Sequence, residues 1–117
     1  GRGDCYDATA VLQEAHALRF KGAGIMFVRV NAGCVEVLLG VEYRPEEGRV
    51  VMVLGGKREA ADRSSEDSAV REFCEETADL VPRPVVIDAL KRKTTRRLWL
   101  GFGGYVLFIA SADGTRG

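Results

Sequence analysis

Eight carboxylates fall within residues 55–80 of this chain, and three of them, Glu72, Glu75 and Glu76, are spaced to act together. Separations of three and four residues bring side chains to one side of a helix. Like charges placed that way repel, and a helix gains from them only when a cation neutralises them. Oxygen-only ligands on a rigid element suit Mg²⁺ or Mn²⁺, ions that serve phosphate chemistry. The plainer alternative is a solvated acidic face. Gly55-Gly56 upstream and Arg71 beside the glutamates favour the chemical alternative.

The flanking pattern predicts the elements that position these residues. Val50-Val-Met-Val-Leu54 reads as a short buried strand that delivers the chain into a Gly55-Gly56 turn. Ser64 or Ser65 caps the next helix, with Glu66 and Asp67 complementing its dipole. Val70, Phe73, Cys74 and Thr77 fall on its core side and the three glutamates opposite. Pro82 and Pro84 forbid much continuation past Leu80.

Elsewhere, residues 5–20 carry an apolar stripe of helical period, formed by Val11, Leu12, Ala15 and Leu18 and extending to Phe20. Residues 25–30 and 34–39 read as a hairpin about Asn31-Ala-Gly33, and 85–90 as another strand. Residues 97–102 and 105–110 form a second hairpin about Gly103-Gly104, with Leu98 and Leu100 inward and Trp99 on the other face. Helices mixed with hairpins imply an α/β (α+β) fold rather than a doubly wound parallel sheet.

The stretch from Gly56 to Asp79 resembles the Nudix box, the signature of hydrolases acting on nucleoside diphosphates linked to another group. That pattern runs Gly, five residues, Glu, seven residues, Arg-Glu, an apolar residue, any residue, Glu-Glu, any residue, Gly, apolar. Here Asp62 stands for the first Glu, and eight residues separate it from Arg71-Glu72, one more than the pattern has. Phe73, Cys74, Glu75, Glu76 and Thr77 then fit, and Ala78 and Asp79 replace Gly and the apolar residue.

The resemblance implies an α/β/α sandwich with a mixed sheet and a Mg²⁺- or Mn²⁺-dependent hydrolase that cleaves a pyrophosphate bond. It implies Glu72, Glu75 and Glu76 as metal ligands and Arg71 as the residue that orients them. Gly55 and Gly56 would let the backbone approach phosphates, with Lys57, Arg58 and Arg44 as further phosphate contacts. Without Gly at 78 the helix is expected to run on toward Pro82. Many relatives supply one more carboxylate downstream, and after Glu76 this chain offers only Asp79, Asp88 and Asp113. A catalytically weak domain that binds phosphorylated RNA ends within a larger complex is the alternative.

The 117 residues suit a single domain, 46% hydrophobic and 29% charged, with formal net charge zero. Bulk charge therefore attracts neither nucleic acid nor membrane, and no stretch approaches the roughly 20 apolar residues of a bilayer span. Local attraction to RNA could come from Lys91, Arg92, Lys93, Arg96 and Arg97, with Trp99 for stacking. The plainer alternative is a hairpin edge guarded by charge.

Cys5, Cys34 and Cys74 lack CxxC spacing, which fits a reducing intracellular compartment, cytoplasm or organelle matrix, and no disulfide framework. His16, the lone histidine, reads as a surface or satisfied residue rather than a catalytic one. Gly1 in place of Met suggests a fragment or processed chain whose targeting signal is lost, and the tail from Ser111 suggests a C-terminal element left off. Homodimer and complex subunit are both compatible with the sequence.

Overall fold

A computed structural model describes residues 4–113. In chain order the elements are β1 (Cys5–Asp7), α1 (Glu14–Arg19), β2 (Gly22–Asn31), β3 (Cys34–Val37), β4 (Gly40–Arg44) and β5 (Gly48–Met52). Then come β6 (Leu54–Lys57), α2 (Ser65–Glu76), α3 (Arg83–Lys91), β7 (Arg96–Leu100) and β8 (Tyr105–Ser111). The class is α+β, as the sequence predicts. A six-stranded sheet runs β1-β7-β8-β2-β3, with β6 beside the first half of β2, and β4–β5 form a separate two-stranded sheet. Only the β2–β8 pair is parallel.

Register decides which side chains share a face. Ala23, Ile25 and Phe27 stand beside Val106, Phe108 and Ala110, and all six belong to one core with Ala69, Val70, Phe73 and Cys74 of α2. Val86 and Ala89 of α3 join it. The Phe27 and Phe73 rings meet edge-on, 5.1 Å between centroids, a favourable arrangement for two quadrupoles. On β7, Trp99 pairs with Val106 and so points to this same side. Burying sixteen such residues is the main stabilising term. Among the described residues no helix is long and apolar enough to cross a membrane.

Several expectations fail for identifiable reasons. The helix predicted over 5–20 is a short strand, a loop and the six-residue α1. Residues 5–7 pair with β7, and Asp7 Oδ1 accepts the Thr9 N–H to turn the chain out of the strand. Val11 and Leu18 of the supposed apolar stripe are exposed. The strand predicted over 85–90 is helix α3. Pro82 caps it and Pro84 lies in its first turn, where a fixed φ and a missing N–H cost nothing. Tertiary burial of Val86 and Ala89, three apart, overrides the β-branched run.

The segment 50–54 is split between β5 and β6, and only Leu54 in it is buried. Gly55 and Gly56 lie inside β6, opposite Gly24 and Ala23, and are not a turn. On β7 the faces are reversed from expectation: Trp99 is buried and Leu98 and Leu100 are half-buried. The hairpin at Asn31-Ala-Gly33 is as predicted, with Ala32 and Gly33 both at positive φ, the pair required by a type I′ turn.

Candidate active site

Helix α2 is fixed at its start by Ser64, whose Oγ accepts the Asp67 N–H at 3.2 Å, while the Asp67 carboxylate accepts the Arg63 N–H at 2.9 Å. Such reciprocal caps satisfy donors that a helix end leaves open. With Phe73 and Cys74 pinned in the core, Glu72 is left at the rim and Glu75 and Glu76 outside it.

Arg71 organises this rim. Its Nη2 donates to Asp62 Oδ2 at 2.7 Å and to the Lys57 carbonyl at 3.0 Å, and its Nε donates to Asp62 Oδ1 at 3.2 Å. Its Nη1 donates to Glu72 Oε1 at 2.8 Å and lies 3.4 Å from Glu59 and 3.6 Å from Glu75. Asp62 is buried and also accepts from Ser68 Oγ at 2.7 Å and from the Glu59 N–H at 2.9 Å. The Arg71 guanidinium, with these other donors, holds the Asp62 carboxyl well below the usual carboxylate range against the opposing effect of burial. Asp62 thus acts by anchoring Arg71, and Arg71 by orienting Glu72.

Glycines set how close the acids come. A Cβ on Gly56 would sit 2.3 Å from Glu72 Oε2, so the carboxylate lies directly on that backbone. The Gly55 backbone lies close enough to the Glu76 carboxyl to lower its pKa. On the opposite face of the sheet the Tyr105 hydroxyl fills the space where Cβ atoms of Gly24 and Gly55 would stand. The chain's own side chains therefore occupy the hollows at Gly55 and Gly56 that were expected to admit phosphate.

Desolvation raises the Glu76 carboxyl above its ordinary value, and the charges of Glu72, Glu42 and Glu75 raise it further, opposed by the Gly55 backbone. The Tyr105 phenol is pushed up to about 12, by burial first and then by Glu76 and Glu72. Negative charge thus accumulates at this edge of β6, while Arg71 is already paired with Asp62 and Arg44 with Glu42 and Glu47. No family model matches the chain, and neither the curated proteins nor the solved structures give a significant match. What the site can do is therefore argued from its own geometry.

Among the described residues no three His, Cys, Asp or Glu side chains converge into a ready-made metal cage. The donor set still has the chemistry a hard divalent cation takes: carboxylates alone, mutually repelling, on a helix braced by the core. Two neighbours of the site, Glu42 and Tyr105, were not predicted. Glu42 lies upstream on β4 and comes near Glu76 only through folding, whereas extra carboxylates were sought downstream. Tyr105 had a weak signal, since a tyrosine at a strand start beside glycine-rich strands can lie across them.

The remaining candidates are placed as follows. Arg58 stacks over Phe20, 4.1 Å from the ring centroid, and donates to the Leu18 carbonyl at 2.8 Å, so it braces α1. Arg44 contacts Glu42 and Glu47 at 3.4 Å each, and Lys57 is exposed. In the basic run, Arg92 donates to the Ser111 and Asp113 carbonyls, Arg97 to the Ala8 carbonyl, and Arg96 pairs with Asp7. These three hold strands and termini together. Lys91 and Lys93 alone of the run stay exposed without an ion pair among the described residues.

His16 is satisfied, as expected. It stacks on Trp99 with 3.9 Å between centroids, and its Nδ1 shares a hydrogen bond with the Tyr6 hydroxyl at 2.8 Å. Burial pushes the Cys74 thiol up, which keeps it unreactive.

Proposed function

We propose that this chain is a Mg²⁺-dependent hydrolase of the Nudix type, cleaving a pyrophosphate bond in a nucleoside diphosphate derivative or nucleotide-capped substrate. The observation that carries the proposal is the setting of the acids on α2: Glu72 laid on Gly56 and locked by an Arg71 that Asp62 has neutralised. A surface acid needs neither a buried ion pair behind it nor a glycine beneath it. Glu72, Glu75 and Glu76 would hold the ion, which when bound supplies phosphate charge neutralisation and an acidified water.

Within that scheme Arg71 keeps one Glu72 oxygen occupied and leaves the other to face the edge of β6. Glu76, whose carboxyl is raised by desolvation and neighbouring charge, would accept a proton once a cation offsets its neighbours. Incubation with Mg²⁺ and a panel of ADP-ribose, NADH, dinucleoside polyphosphates, nucleoside triphosphates and capped RNA tests this. Turnover of at least one class, cut about a hundredfold or more in Glu72→Gln and Glu76→Gln, is the expected result, in line with lost metal ligation. Turnover indifferent to both substitutions would sink it.

A second function rests on Lys91 and Lys93, which engage no carboxylate among the described residues. A non-hydrolysing module could use them on an RNA backbone. Salt-sensitive RNA binding without turnover, lost in Lys91→Ala and Lys93→Ala, would favour that function.

A further inference from the structure

Building on the hydrolase function above, we propose that the Tyr105 hydroxyl binds substrate, donating to a diphosphate oxygen at the outer edge of β6. Tyr105 starts β8 beside Gly22, and its ring reaches across β2 toward β6. Three glycines clear its path. A Cβ on Gly22 would come 3.2 Å from the ring, and Cβ atoms on Gly24 and Gly55 would overlap the hydroxyl oxygen. The hydroxyl therefore ends over Gly55. Strand β6 pairs only with β2 among the described residues, so its other edge stands open there.

Packing accounts for the ring, since phenylalanine would fill the same trough. It does not account for the oxygen, which bonds no group among the described residues. Every sealed side-chain polar atom among them has a partner, so this unpartnered hydroxyl opens to solvent. A phenol keeps its proton at neutral pH and can offer it to an anion. Lys57 pairs with Gly22 and so leaves β6 from the same face as the ring. Its side chain is exposed and makes no ion pair among the described residues. The arginines near the acids are taken: Arg71 by Asp62, Arg44 by Glu42 and Glu47, Arg58 by the Leu18 and Asp62 carbonyls. The Tyr105 hydroxyl and the Lys57 ammonium are thus free donors on one face of β6, with Glu72 laid on the other at Gly56. Donors on one side and acids on the other suit a diphosphate that shares a cation with the acids, and a charged acceptor strengthens the hydroxyl's hydrogen bond.

Titration with methylenediphosphonate, a diphosphate core that cannot be hydrolysed, in excess Mg²⁺ tests the contact. Wild type should bind it, and Tyr105→Phe should bind about tenfold more weakly, the worth of one hydrogen bond to a charged oxygen. The two proteins should melt alike without ligand and gain the same Tm from Mg²⁺ alone, because the ring still fills its trough. Equal binding by Tyr105→Phe would overturn the contact and leave the hydrolase function standing. A wild type that does not bind the diphosphonate would overturn both. A variant that loses the Mg²⁺ shift together with the binding would overturn the contact, since Tyr105 would then be shaping the metal site. If Tyr105→Phe does not fold, wild type labelled with ¹³Cζ-tyrosine decides. Its Tyr105 signal must move when diphosphonate joins Mg²⁺, and a signal that stays put overturns the contact.

Discussion

Asp62 and Arg71, nine residues apart, form a two-pronged ion pair at 2.7 and 3.2 Å, in which the carboxylate is buried. Both are committed to this pair before any ligand arrives. The pair joins the loop after β6 to the middle of α2 and fixes the guanidinium that touches Glu72. Asp62 occupies the place where the sequence resemblance put the first acidic residue of the box, and its geometry assigns it to support.

Replacing Asp62 with Asn should therefore destabilise the protein by about 3 kcal/mol, the usual cost of stranding one partner of a buried pair. The effect should depend on pH. The folded-state value of Asp62 is depressed, so its contribution is present above the unfolded value near 4 and is lost as pH falls below it. Urea melts at pH 7 should separate wild type from Asp62→Asn widely, and melts near pH 3 should separate them less. An equal gap at both would contradict the assignment.

Gly55 and Gly56 should respond to alanine in different ways. At Gly56 the obstacle is the carboxylate end of Glu72, which can swing aside. Gly56→Ala should change stability by under about 1 kcal/mol yet cut the proposed hydrolysis tenfold or more, because it displaces Glu72, a proposed metal ligand. At Gly55 the new methyl would meet the Ala23 carbonyl oxygen and the Gly24 Cα, both at 2.5 Å. Backbone cannot swing aside, so Gly55→Ala should cost about 3 kcal/mol through local overpacking. Paired thermal melts and rates would separate the two.

The sequence was most legible where local pattern and tertiary need agree. The α2 helix, its Ser64 cap and its split into Phe73 and Cys74 against Glu72, Glu75 and Glu76 all follow from period and capping chemistry. The positive-φ turn at Ala32-Gly33 likewise announces its hairpin. Local pattern failed where long-range pairing won. Cys5–Asp7 is a strand because β7 lies beside it, and Val85-Val86-Ile87 is helical because Val86 and Ala89 meet the core. Glu42 belongs beside Glu76 only because the chain folds back through β4 and β5, a fact that no local window carries.

Ala78 and Asp79 end α2 in the left-handed region, at φ 52° and 58°. The helix stops at Glu76, and the sequence prediction that it would run on without a glycine fails. The stop survives because the Asp79 N–H still reaches the Cys74 carbonyl at 2.9 Å and the Ala78 N–H the Glu75 carbonyl at 3.3 Å. An alanine in that region costs roughly 1 kcal/mol that glycine does not. Ala78→Gly should stabilise the protein by about that much and raise Tm by about 4 °C. No rise would mean the strain is relieved elsewhere.

Glu76 connects the acidic edge to pH and to cations. Its folded value is raised, by partial desolvation first and by the charges of Glu72, Glu42 and Glu75 next. For an acid shifted upward, stability is full below the unfolded value near 4.3 and declines as pH climbs through the folded value. In metal-free buffer at pH 8, Glu76→Gln should therefore melt about 1–3 °C above wild type, a modest gain because the group is exposed. At pH 4 the two should melt together. Adding Mg²⁺ at pH 8 should raise the wild-type Tm, since an ion that binds only the folded state stabilises it by mass action. The same addition should do less for Glu76→Gln. Equal Mg²⁺ shifts in both proteins would mean that repulsion at this edge is relieved by something other than a bound cation.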